Sequence, residues 1–167
     1  SELREEMLAA GIDPASVASV HVTVQPGGLA PLIHPRPVDG TQAKFSMEYV
    51  AAAMLADGAV TLGSFEAGAV GRPAVQDLLT RVTKSEAEVP PVGRDSWTAG
   101  YAVVVATLPD GREFTRRVDR PRGHATRPVD DATLRTKFDD CLAAVGIAGA
   151  HEAEDAHAAA SALFDAL

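Results

Sequence analysis

A single cysteine in 167 residues, Cys141, excludes an internal disulfide, and no second thiol supports a zinc ribbon or an iron–sulfur site. Aromatic residues make up only 5% of the chain, so close packing of small aliphatic side chains, alanine above all, has to fill much of the core. Positive charge is also scarce. Fifteen Lys and Arg stand against 23 Asp and Glu, a net charge of −8, whereas a reader of nucleic-acid phosphates carries the opposite balance. No apolar run approaches the ~18 residues that span a bilayer. Nucleic acid and membrane are therefore not expected partners, and a reducing, cytoplasmic compartment is the expected setting.

What is present is ordinary globular composition: 46% hydrophobic and 23% charged residues, enough for one domain, or one with an appendage, to build a core without staples. Residues 2–10 read as a short helix ended by Gly11. From Val17 to Gln25, Val20, Val22 and Val24 alternate with Ser19, His21 and Thr23, the pattern of a half-buried strand. Residues 26–40 hold four prolines and three glycines and read as a long irregular loop.

The segment Ala43–Asp57 predicts a helix with an apolar stripe at Met47, Val50, Ala51, Met54 and Leu55. Its other side, Tyr49, Ala52, Ala53 and Ala56, is nearly as apolar, so the helix is expected to need two partners. Pro73 suits the first turn of a further helix through Val75, Leu78, Leu79 and Val82. Val82–Glu88 is a polar, edge-type strand candidate, and Tyr101–Leu108 and Arg112–Val118 flank a Pro109-Asp110-Gly111 hairpin turn. Leu134, Phe138, Cys141, Leu142 and Val145 mark an amphipathic helix capped by Asp130 or Asp131. Ala156, Ala160, Leu163, Phe164 and Leu167 mark another. Strands and helices are segregated, so the fold class is α+β, a mostly antiparallel sheet with helices packed mainly on one face.

Recognisable catalytic motifs are absent: no P-loop, no nucleophile elbow, no paired metal-ligating histidines among His21, His34, His124, His151 and His157. Cys141 lies on an apolar stripe and reads as a small buried hydrophobe. Arg112, Arg116, Arg117, Arg120, Arg122 and Arg127 crowd into sixteen residues, either a solvated face or a local anion site. Tyr49, on the doubly apolar helix, is either a core tyrosine with a satisfied hydroxyl or a hydrogen-bond donor and general acid. The residue pattern leaves both readings open.

Ala43-Lys44-Phe45-Ser46 running into Tyr49-Val50-Ala51, then Asp57-Gly58, then Arg72-Pro73 before Val75, resembles the C-terminal domain of the MmgE/PrpD family. Asp110-Gly111, Gly123-His124, Arg127-Pro128 and Lys137-Phe138 follow in the same order, and the resemblance covers about residues 2–145. That family includes 2-methylcitrate dehydratase, cis-aconitate decarboxylase and iminodisuccinate epimerase. The resemblance implies a domain over 1–145, a helical tail over 146–167, and an all-helical N-terminal domain absent from this chain, with the active site in the cleft between the two domains. It implies a lid for a lyase or isomerase acting on small di- or tricarboxylates, with no metal, cluster or nucleotide cofactor. Implied partners are a polycarboxylate substrate, the helical domain of the same enzyme and a second copy in a homodimer. By the same resemblance Tyr49 is the catalytic candidate, matching a tyrosine that faces the cleft; in a lone domain its apolar side of the helix is expected to be at least partly uncovered or covered by a second copy, and Lys44, Ser46, His124 and Arg127 are substrate-binding candidates. The alternative is a free-standing module that binds a small acid or a protein without chemistry.

Overall fold

The computed structural model describes residues 1–98 and 100–144, with Ala158 and Ala162 further on. These fall into two compact units, 1–60 with 64–121 and 61–63 with 122–167, and each is described by itself.

The larger unit runs α1 (Glu2–Ala9), β1 (Ser19–Val24), α2 (Gly40–Ala43), α3 (Met47–Asp57), α4 (Pro73–Thr80), β2 (Val82–Glu86), β3 (Ala102–Thr107) and β4 (Glu113–Val118). The strands form one sheet in the order β2-β1-β3-β4. β1 pairs antiparallel with β3, and β3 with β4, while the polar edge strand β2 pairs parallel with β1. The α+β expectation holds, with one parallel pair in a mostly antiparallel sheet. That pair follows from connectivity, because the chain passes through three helices between β1 and β2 and can re-enter the sheet in the same direction.

The pleat separates two faces. Val20, Val22 and Val24 of β1, in register with Ala106, Val104 and Ala102 of β3, pack into the core shared with the helices. The opposite face carries His21 and Thr23 beside Thr83 and Ser85; the two His21 ring nitrogens each lie 2.8 Å from a hydroxyl of that pair. Arg117, on β4 in register with Val103, donates to the carbonyls of Val92 (2.7 Å), Arg94 (2.5 Å) and Ser96 (3.2 Å).

Two expectations are corrected in the helical layer. The single helix over 43–57 is two, because Ser46 takes an extended backbone and its Oγ accepts from Tyr49 N at 3.0 Å, capping α3. The inward side of α3 is also not the stripe of large residues. Tyr49, Ala52 and Ala53 are fully buried, with Glu48 and Leu55 nearly so, whereas Met47, Val50, Ala51 and Met54 are half-buried. Small side chains let α4 approach α3 closely, and Glu48 enters because Lys84 on β2 neutralises it at 3.0 Å. Gly58, with φ +82°, ends the helix as its position predicts.

The long loop after β1 is irregular but tied down. Glu86 accepts from Gly27 N (3.0 Å) and Leu29 N (2.8 Å), Lys84 Nζ donates to Leu32 O (2.7 Å), and Arg36 to Leu79 O (2.9 Å). Backbone groups without a strand or helix partner are thereby satisfied by side chains.

The smaller unit contains α5 (Asp131–Ala144), capped by Asp130, whose Oδ1 accepts from Thr133 N at 2.7 Å. Leu62 N donates to Asp140 Oδ2 at 3.2 Å within the same unit. α5 buries none of its side chains, so Cys141 is exposed and not the buried hydrophobe its stripe predicts. Among the described residues the division falls between 121 and 122. The helix expected around Ala156–Leu167 lies outside the described residues, apart from helical Ala158 and Ala162.

Candidate functional site

Tyr49 is the best-defined polar group of the larger unit's interior. Its ring is fully buried, 6.0 Å from that of Phe65, and its hydroxyl donates to the backbone carbonyl of Ser64. Burial pushes the phenol's pKa up; the nearby Arg72 guanidinium opposes this and the Asp57 carboxylate adds to it. The group is therefore a neutral donor at ordinary pH. The expectation of an uncovered face around Tyr49 is overturned: the domain's own core and the 64–65 segment enclose it.

Lys44, between α2 and α3, is exposed, and its ammonium stands 6.0 Å from the centroid of the same Phe65 ring. Ser46 is fully buried, and its hydroxyl oxygen accepts from Tyr49 N, capping α3. Asp57 and Arg72 belong to the motifs that carry the family resemblance. They form a two-point ion pair, with Arg72 Nη1 2.9 Å from Asp57 Oδ1 and Nη2 2.5 Å from Oδ2. The Arg72 guanidinium holds the Asp57 carboxyl below its ordinary range, and the carboxylate raises Arg72 in return. Opposite charges at the two ends of a glycine-rich stretch were the signal available in the sequence.

In the smaller unit, His124 and Arg127 face each other across a tight turn. Arg127 N donates to His124 O at 2.7 Å and Gly123 N to Arg127 O at 2.9 Å, with Gly123 at φ +86°. His124 Nδ1 accepts from Thr126 N at 3.1 Å, which puts the proton of the neutral ring on Nε2. Lys44, Ser46 and Tyr49 thus share one unit, and His124 and Arg127 the other.

The remaining arginines are largely engaged in structure. Arg112 pairs with Asp110 (2.8 Å), Arg116 with Glu6 (2.6 Å) and Arg117 with Asp119 (2.8 Å). Among the described residues no three His, Cys, Asp or Glu side chains gather as metal ligands, and no helix is long and apolar enough to cross a membrane.

Comparison with known proteins agrees with this architecture. Residues 2–163 match the MmgE/PrpD C-terminal domain. Cis-aconitate decarboxylase from Homo sapiens is 40% identical over 104 residues, 62% of this chain and 21% of the relative. The Mus musculus enzyme of the same name is 39% identical over the same extent. The match thus spans about a fifth of the length of each of these relatives.

Proposed function

The chain belongs to the MmgE/PrpD family, through its C-terminal domain, and from that premise we propose that it is the lid domain of a cofactor-independent lyase or isomerase acting on small di- or tricarboxylates, of the cis-aconitate decarboxylase type. Its cleft is shared with a helical domain of the same enzyme. The observation that carries this reading is the family match over residues 2–163 together with 40% identity to a decarboxylase.

The chemistry of the residues supports it. When a carboxylate leaves a tricarboxylate as carbon dioxide, its bonding pair shifts the double bond and a proton is taken up at carbon. Negative charge builds on a neighbouring carboxyl oxygen. A neutral phenol is suited to donate to that charge, the role assigned to Tyr49. Lys44, in the same unit as Tyr49, is a cationic donor suited to a substrate carboxylate, an attraction the net charge of −8 does not provide, and His124 and Arg127 are donor candidates of the smaller unit taken by itself.

The test is a chimera in which this chain replaces the matching segment of the human decarboxylase, read by carbon dioxide release from cis-aconitate. Chain 1–167 alone is expected to be inactive and the chimera active. A folded chimera without decarboxylation, or robust turnover by the chain alone, contradicts the assignment. The second result would place the acid–base set inside these residues.

A further inference from the structure

The sheet face turned away from the helices carries a chain of hydroxyls and one imidazole that the lid reading does not use. Parallel pairing of β1 with β2 sets His21 opposite Thr83 and Thr23 opposite Ser85, with their side chains on that face. The His21 ring bridges two of the hydroxyls, with Nδ1 2.8 Å from Thr83 Oγ1 and Nε2 2.8 Å from Ser85 Oγ. Thr83 donates its one proton to the Val20 carbonyl at 3.3 Å, so toward the ring it is an acceptor. That places the proton of the neutral imidazole on Nδ1 and leaves Nε2 bare. Ser85 then donates to Nε2, while Thr23 Oγ1, 3.4 Å from Ser85 Oγ, steadies its oxygen. These are the parts of an activated nucleophile: a hydroxyl, a base that takes its proton, and a group that holds the base in one tautomer.

The site is reached from the sheet edge. β2 is the edge strand, Thr83 is exposed, and His21 and Ser85 are half-buried. The charged residues of β2 are spent elsewhere, Lys84 on Glu48 and the Leu32 carbonyl, Glu86 on the Gly27 and Leu29 amides. Arg81, just before β2, pairs with Asp77. On the His21 face β4 contributes Glu113, which accepts from Thr107, and Arg117, which pairs with Asp119. Val105 of β3, half-buried and in register with His21, sets apolar surface beside the ring.

We propose that Ser85 is a nucleophilic serine, activated by His21 as general base, that takes an acyl group from a small thioester or other activated ester. This goes beyond the lid reading and needs neither Tyr49 nor a helical domain. Ser85 Oγ bonds to the acyl carbon, the bond from that carbon to the departing sulfur or oxygen breaks, and the Ser85 proton passes through His21 Nε2 to the leaving group. The products are an O-acyl serine and a free thiol or alcohol, with no change of oxidation state. Val105 is the apolar neighbour of the acyl chain. Thr83 is a positioning residue, acting through the His21 tautomer. The expected event is one acylation per chain, a covalent modification of the edge strand.

Labelling of chain 1–167 with a fluorophosphonate probe tests this, the modified residue being located by peptide mapping. The Ser85 oxygen displaces fluoride from phosphorus, and the phosphonyl–serine bond survives digestion. Ser85 is expected to label about tenfold or more faster than any other serine of the folded chain, an advantage that urea should abolish. His21→Gln should lower the rate at Ser85 about 100-fold, as for loss of a general base. Thr83→Val should lower it about fivefold and Thr83→Ser restore it, a rescue that a packing role would not give. In the parent the rate should rise with pH around the ordinary imidazole value of about 6.5, and His21→Gln should remove that rise. Thermal melting checks each variant for folding; if His21→Gln does not fold, the pH profile and the two Thr83 variants carry the test. A Ser85 labelled no faster than exposed serines, or at a rate indifferent to His21→Gln, overturns the proposal. Incubation with a small acetyl thioester tests the acyl donor. Acetyl ester on Ser85 with release of free thiol is the expected result, and a Ser85 that takes the probe but no acetyl group overturns the acyl-accepting role.

Discussion

Lys84 Nζ lies 3.0 Å from Glu48 Oε2 and 2.7 Å from the Leu32 carbonyl, so one ammonium joins β2, α3 and the proline-rich loop. Both side chains are mostly withdrawn from water, at 18% and 7% exposure. Lys84→Met strands a carboxylate among apolar neighbours and is expected to cost about 3 kcal/mol, whereas Lys84→Met with Glu48→Leu recovers most of the loss. Urea unfolding of the two variants checks this.

Gly40 sits where a methyl group does not fit. A Cβ there would lie 1.8 Å from the Phe65 carbonyl oxygen, a backbone atom that cannot step aside alone. Gly40→Ala is expected to destabilise by about 2–3 kcal/mol through overpacking. Gly111→Ala meets open space in the hairpin turn and bears only the left-handed backbone penalty of about 1 kcal/mol. Thermal melting of both distinguishes a close approach from a conformational requirement.

The carboxylates predict how stability depends on pH. Hydrogen bonds hold Asp57, Glu86, Asp110 and Asp130 below their ordinary values, through Arg72, the Gly27 and Leu29 amides, Arg112, and Thr133 respectively. A group depressed in the folded state contributes stability above its unfolded pKa and loses it as pH falls through the folded one. Melting temperature should therefore be insensitive to these groups near neutrality and decline below about pH 4. Tyr49 and Tyr101 are raised by burial, so their contribution is complete below pH 10 and is lost as pH rises beyond it. Glu86→Gln and Asp57→Asn should each flatten the acid limb.

Arg117 makes a prediction that Trp97 can report. Its guanidinium carries three carbonyls of the 92–96 stretch while pairing with Asp119 and lying over the Tyr101 ring at 5.7 Å. Trp97, the single tryptophan, packs on Tyr101 and donates to Glu88 O at 2.8 Å. Arg117→Lys keeps the charge but loses the fork, and is expected to increase acrylamide quenching of Trp97 and cost about 1–2 kcal/mol.

The elements that were legible in the sequence share a reason. β1 and the 109–111 hairpin are specified by local alternation and by a glycine at φ +85°, so no distant contact is needed to read them. α3 was legible as a helix but not in its orientation, because both sides are apolar and the buried partner of Glu48, Lys84, lies on a strand far along the chain. The enclosure of Tyr49 had no sequence signature, since its partner is the backbone carbonyl of Ser64 and any residue carries one. The stripe around Cys141 shows why burial was not legible there: an apolar stripe records a preference for burial, while α5 buries none of its side chains.

The central claim, that the Tyr49 hydroxyl acts on substrate, is tested most directly by Tyr49→Phe in the decarboxylase chimera. The substitution removes one oxygen and retains the ring packing against Phe65. The account predicts a kcat lowered by about 100-fold or more, as for loss of a general acid, with the melting temperature lowered by only a few degrees. An unchanged kcat would contradict it and leave Tyr49 as a packing residue that ties down Ser64.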